Sequence, residues 1–260
     1  MPARVIDRGG PVMTPHPNGA GEGLPDNGRD ILLIMVPGMG METAEFRSQG
    51  LIGTVEQRYR GIAVATVDPG LDAYLDGSVE ARMLDAIARA RRDEPRRLWL
   101  AGVSLGCQAI LRCVRAQPDL AEGLILLTPY LASTGLIAEV GRAGGLRDWA
   151  AAQIGANQPE AGIGGIQPEA GIGGNEKERA MLTWLATTPP AALPRMFVGR
   201  ALADRFAPTA SLLADLLPAH HVTSVAGEHD WTSWQALWGL ILDQQPFERP
   251  APAGASGGAN

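Results

Sequence analysis

Leu98-Trp99-Leu100-Ala101-Gly102-Val103-Ser104-Leu105-Gly106 reads as an apolar strand that hands over to a helical stretch through the pentapeptide G-x-S-x-G at 102 to 106. A serine raised on a sharp strand-to-helix turn needs neighbours without bulk, so that the turn can close and the hydroxyl can project. Strained backbone of this kind is held mostly at functional sites. In a chain with 33 glycines the pentapeptide alone is a common string, so its surroundings must decide whether it matters.

Working outward, Ile31 to Val36 is an unbroken apolar run that ends in Pro37-Gly38-Met39-Gly40, the pattern of a buried parallel strand followed by a tight loop. A second strand, Ile62 to Val67, ends at Asp68-Pro69-Gly70. Val79, Met83, Leu84, Ile87 and Ala90 recur at helical spacing before the strand at 98 to 103. Beyond Ser104 come a helix with Ile110, Leu111 and Val114, and a strand, Leu124 to Leu127. Further on, Arg195 to Val198 and His221 to Ala226 read as strands, with helices at about 208 to 217 and 231 to 242. Strands alternating with helices imply an α/β fold: a mostly parallel sheet with helices on both faces. We expect one domain over residues 30 to 245, a flexible Pro/Gly-rich leader over 1 to 29, and a disordered tail over 246 to 260.

The rhythm breaks between Tyr130 and about Pro194. This stretch contains a tandem duplication, Gln158 to Ile166 and Gln167 to Asn175, too rich in glycine for a helix and too short for a solenoid. The duplication reads as a flexible surface excursion within a lid-like insertion over about 130 to 194, in which Glu176 to Ala186 looks helical.

Composition excludes several functions. The formal net charge is −6, and the one cluster of basic residues, Arg89 to Arg97, closes a helix and enters a strand, so nucleic acid is not an expected partner. No run approaches the ~18 to 20 apolar residues of a membrane span, so no membrane partner is expected. Cys107 and Cys113 fall six positions apart on one helix, roughly 9 Å along its axis and on opposite faces, too far for a disulfide. Reduced thiols and no apolar leader point to the cytoplasm. Oligomeric state leaves no trace in the sequence.

A serine nucleophile needs a base and a group that orients the base. Of the four histidines, His16 lies in the leader and His220 and His221 stand at the entrance to the last strand. His229 follows that strand, at the carboxyl edge where open α/β sheets bind ligands. The acid belongs between serine and histidine in the chain. Asp204, after the penultimate strand, fits best, although a helix cap or an ion pair with Arg205 would also account for it. Asp148 belongs to the insertion, Asp215 to a helix, Asp230 is too near His229 in sequence, and Glu228 is a poor reserve. The backbone N–H groups of Leu105 and Met39 are the candidate oxyanion donors. Trp231, Trp234 and Trp238 fall on one helix face and read as core.

Along most of residues 30 to 243 the sequence resembles the α/β-hydrolase family, through PGMG at 37 to 40, GVSLG at 102 to 106, Asp204 and GEHDW at 227 to 231. The run His229-Asp230-Trp231 with Trp234 also looks like the end of esterase D-type esterases. The resemblance implies catalytic roles for Ser104, Asp204 and His229, a small-molecule acyl substrate and no metal or organic cofactor. It departs from the family pattern at Cys107, where many members have a second glycine, and at Pro37, where many have histidine. A carboxylic ester hydrolase is the expected function. A thioesterase or acyltransferase would use the same residues, and a non-catalytic binding scaffold would keep the fold alone.

Overall fold

A computed structural model describes residues 31–59, 61–91, 97–156 and 175–248. The expected leader, residues 158 to 174 of the duplication, and the chain beyond 248 lie outside them. In chain order the elements are β1 (Ile31–Val36), α1 (Glu45–Ser48), α2 (Leu51–Arg58), β2 (Ala63–Thr66), α3 (Leu71–Asp76), α4 (Val79–Arg91), β3 (Arg97–Val103) and α5 (Leu105–Ala116). They continue with β4 (Gly123–Leu127), α6 (Thr134–Arg142), α7 (Leu146–Ala156), α8 (Asn175–Thr187), β5 (Arg195–Ala201), α9 (Ala207–Ala214), β6 (Val222–Val225) and α10 (Trp231–Asp243).

The strands form one six-stranded sheet in the order β2-β1-β3-β4-β5-β6, and every neighbouring pair is parallel. All six residues of β1 are buried because both faces of the sheet are covered. Leu32, Ile34 and Val36 join one core with Met83 of α4, Leu111 of α5 and Leu213 of α9. Ile31, Leu33 and Met35 join the other with Phe46, Val55, Trp238 and Ile241. A strand wetted on neither face has no reason to alternate polar and apolar residues, which is why β1 is a continuous apolar run.

The chain leaves β1 to form β2 on one side and returns to form β3 on the other. The loops leaving the carboxyl ends of β1 and β3 therefore diverge, and such a switch point is the usual ligand position in open parallel sheets. The PGMG loop and Ser104 stand at those two ends.

Two expectations are corrected. The stretch from 130 to 194 holds more than the one helix expected at Glu176 to Ala186: α6, α7 and α8 occupy its described residues, and Leu136, Val140, Trp149, Met181 and Leu182 are buried in the α5-side core. Their apolar residues are spaced for three short helices that pack on one another, so no long helical period shows in the sequence. The domain also extends past 245. Phe247 is only 3% exposed and sets its ring edge-on to Trp99 and Tyr59, so the onset of the tail was placed too early. Among the described residues no helix is long and apolar enough to cross a membrane.

Both cysteines are free and buried in α5. Burial pushes the Cys113 thiol up to about 12 and that of Cys107 well above the ordinary thiol range, which leaves both as inert thiols at neutral pH.

Candidate active site

Ser104 connects β3 directly to α5 with φ 52° and ψ −117°, a conformation that costs a non-glycine residue roughly 1 to 3 kcal/mol. The backbone around it fixes that cost in place. Ser104 N–H donates to the Leu127 carbonyl at 3.0 Å, and its own carbonyl accepts from Tyr130 N–H at 3.1 Å, so the end of β4 clamps the turn. The small neighbours are steric necessities. A Cβ at Gly106 would fall 2.4 Å from the Val36 carbonyl oxygen, and one at Gly102 would fall 2.8 Å from Cys107 N, both below any tolerable contact. Cys107, where a second glycine was expected from the family pattern, turns its sulfur toward the Leu127 carbonyl at 3.7 Å and leaves the turn undisturbed.

The structure brings together the three side chains singled out from sequence. His229 Nε2 lies 2.9 Å from Ser104 Oγ, and His229 Nδ1 lies 2.7 Å from Asp204 Oδ2. An ionised carboxylate can only accept, so Nδ1 carries the proton toward Asp204 and Nε2 presents its lone pair to the serine hydroxyl. The Asp204 side chain is 1% exposed and that of His229 17%, which keeps the pair in a low-dielectric wall at the edge of solvent. Asp204 Oδ1 accepts the Phe206 N–H at 2.7 Å, so the local turn and the histidine share the two carboxylate oxygens and Arg205 has no part in either bond.

The rival acids lie elsewhere. Asp230 caps α10 by accepting the Ser233 N–H at 2.8 Å, and that bond lowers its pKa. Asp148 sits in the first turn of α7, Asp215 at the end of α9, and Glu228 is exposed. His220 and His221 form a short 3-10 turn before β6, with His221 packed on Phe197. His16 lies outside the described residues.

The PGMG loop runs alongside the serine: a Cβ at Gly38 would stand 3.1 Å from Ser104 Cβ. Among the described residues the Met39 N–H has no acceptor, and the Leu105 N–H, first in α5, has none within its helix. Among the described residues, two such donors thus flank Ser104. Met39 is 54% exposed at the same place.

Three aromatic residues were missed as parts of the site. Phe206 meets the His229 ring edge-on at 5.0 Å, Trp234 meets it at 5.2 Å and 90°, and Tyr130 packs on Phe206 at 5.4 Å. The Trp231, Trp234, Trp238 stripe packs in the core as expected, with Trp234 and Trp238 buried members and Trp231 against them. Trp238 is fully buried and Trp231 half-buried at the margin, while Trp234 is a buried wall of the histidine pocket. The signal was available, since Trp234 stands in the first turn of α10, five positions beyond His229. Periodicity, however, reports a face of a helix and not what that face touches. Among the described residues no three His, Cys, Asp or Glu side chains converge as metal ligands would.

A six-stranded parallel sheet with a serine on the turn after β3, and an acid and a histidine after β5 and β6, is the α/β-hydrolase fold. Solved structures of hydrolases share it. S-formylglutathione hydrolase of Staphylococcus aureus is 13% identical, with a TM-score of 0.53 over 84% of this chain and 81% of that one. The fluorophosphonate-binding serine hydrolase F of Staphylococcus aureus is 15% identical, with a TM-score of 0.52 over 84% of each chain. A ferulic acid esterase is 12% identical, with a TM-score of 0.53 over 84% of this chain and 85% of that one. At such identities the likeness is one of fold. No protein-family model and no curated protein sequence matches the chain.

Proposed function

We propose that the protein is a serine hydrolase that cleaves carboxylic esters of small molecules through an acyl-enzyme on Ser104. The observation that carries this reading is the continuous hydrogen-bonded line from Asp204 through His229 to Ser104 Oγ, two bonds of 2.7 and 2.9 Å. His229 Nε2 takes the hydroxyl proton as Oγ attacks the ester carbon, and the carbonyl π pair moves onto oxygen. The Met39 and Leu105 N–H groups stabilise that oxyanion, a contribution of about 3 kcal/mol for each good donor. The imidazolium, steadied by Asp204, returns the proton to the leaving alkoxide as the C–O bond breaks. Water then attacks the acyl-enzyme and gives its proton to His229, which passes it to Ser104 Oγ as the acyl C–Oγ bond breaks and the acid leaves. The two buried, unpaired thiols favour a reducing compartment, in keeping with the cytoplasm.

Two measurements test the reading. Purified protein incubated with a fluorophosphonate should carry one adduct, on Ser104, and protein that remains folded without that adduct refutes the assignment. A panel of p-nitrophenyl esters against acyl thioesters should show turnover of the esters. Turnover of thioesters alone would replace ester hydrolysis by thioester hydrolysis on the same residues.

A further inference from the structure

Thr128 follows β4 with φ 41°, a left-handed conformation unusual for a β-branched residue, and it is 1% exposed. Two hydrogen bonds hold it there. Its N–H donates to the Gly199 carbonyl at 2.8 Å, and its Oγ1 accepts the indole Nε1–H of Trp234, also at 2.8 Å. Burial alone does not call for a threonine at this place, because valine has the same shape and the same backbone strain. The hydroxyl is required by the indole, which would otherwise be a buried donor with no acceptor.

The bond leads to the base. Trp234 stands edge-on to the His229 imidazole at 5.2 Å, as Phe206 does at 5.0 Å. The Phe206 backbone is in turn tied to Asp204 at 2.7 Å. One neighbour of Thr128 in the chain, Leu127, accepts the Ser104 N–H. The end of β4 therefore holds the nucleophile through its backbone and the histidine through an aromatic ring.

We propose that Thr128 and Trp234 are a positioning pair, in which the Thr128 hydroxyl fixes the Trp234 indole and the indole fixes the plane of the His229 ring against Ser104 Oγ. This rests on the serine-hydrolase reading above. Neither residue touches the reacting atoms. Both act through the histidine, whose angular placement limits proton transfer in acylation and deacylation alike.

The test measures kcat and KM on p-nitrophenyl acetate for the full chain, with active sites counted by fluorophosphonate. Thr128→Val and Trp234→Phe should each lower kcat per active site about tenfold while KM stays within about twofold, since ring placement and not ester binding is lost. Thr128→Ser, which keeps the acceptor, should retain most of the wild-type kcat. The double variant should fall no further than the worse single variant, because both remove one interaction. A kcat per active site within about twofold of wild type in both single variants overturns the pair, as do losses that multiply in the double variant. A role confined to folding would lower the number of active sites and leave kcat per site unchanged, which also overturns it. Failure of the underlying reading looks different, because Ser104→Ala would then keep its turnover.

Discussion

The elbow at residues 102–106 and the stretch from Tyr130 to Pro194 are direct neighbours, joined by the bond from Tyr130 N–H to the Ser104 carbonyl. They are specified in different ways. In the elbow the constraints come from the backbone: a carbonyl of β1 forbids a side chain at Gly106, an amide of α5 forbids one at Gly102, and β4 holds Ser104 at φ 52°. In the second region side chains do the holding. Glu139 of α6 accepts from the Trp149 indole of α7 at 2.8 Å and from both terminal nitrogens of Arg179 of α8. Glu178 of α8 accepts the Ser133 N–H at 3.2 Å and lies 3.4 Å from the Gln108 amide of α5. Backbone constraints admit few residue types and leave a recognisable string. Side-chain stitching can be met by many combinations and leaves none.

The largest test of this contrast is the removal of the proposed nucleophile. Ser104→Ala should reduce ester turnover about a millionfold, on the scale seen when a triad serine is deleted, with little change in the unfolding midpoint. Residual turnover near wild type would locate the chemistry outside the elbow. Asp204→Asn should follow, with a loss of about ten-thousandfold in kcat. The amide can donate to Nδ1, which favours the imidazole tautomer that protonates Nε2 and disables it as a base. A loss confined to KM would show Asp204 to be a turn former only, acting through its bond to Phe206 N–H.

The second region should respond in stability and not in chemistry. Trp149 is 2% exposed, bonded to Glu139 and overlain by the Arg179 guanidinium at 5.8 Å. Trp149→Ala should cost about 3 to 5 kcal/mol in urea unfolding, with kcat per active site in the surviving folded protein close to wild type. A loss below about 1 kcal/mol would favour the lid-like reading, since a detachable flap contributes little to global stability.

This division also explains what could be read from sequence. β1, β3, β4 and α10 were legible because burial on two faces, or along one helical stripe, writes a hydrophobic period into the chain. The grouping of Ser104, Asp204 and His229 was legible because chain order and strand ends constrain it. Thr128 was not: its φ of 41° follows from a bond to Gly199 on the next strand and another to a tryptophan 106 positions away, and no local pattern encodes either. Helices α1 and α3 were missed because they span 4 and 6 residues, too short to show a period. Phe247 was assigned to the tail because the proline at 246 and the low-complexity residues after it suggest the end of a domain. Its burial depends on Trp99 and Tyr59, far away in sequence.

The smallest effect lies between two carboxyls of the same region that shift in opposite directions. The Arg179 guanidinium, foremost, and the Trp149 indole hold the Glu139 carboxyl below the usual glutamate range. Burial holds that of Glu178 above it, against the Ser133 N–H, the Gln108 amide and the Arg112 guanidinium, which all favour the charged form. For Glu139 the unfolded chain binds the proton more tightly, so its contribution is present above the ordinary glutamate value and lost as pH falls through the depressed one. For Glu178 the folded chain binds the proton more tightly, so its contribution is full below the ordinary value and lost as pH rises through the raised one. Thermal midpoints recorded from about pH 4 to about pH 7 should separate them. Glu139→Gln should be destabilised relative to wild type mainly at the upper end, and Glu178→Gln should gain relative to wild type at that same end, by roughly 1 to 3 °C each. Shifts of the same sign in both variants would mean that charge state plays no part in docking α8, and that shape alone joins the stretch from Tyr130 to Pro194 to the nucleophile helix.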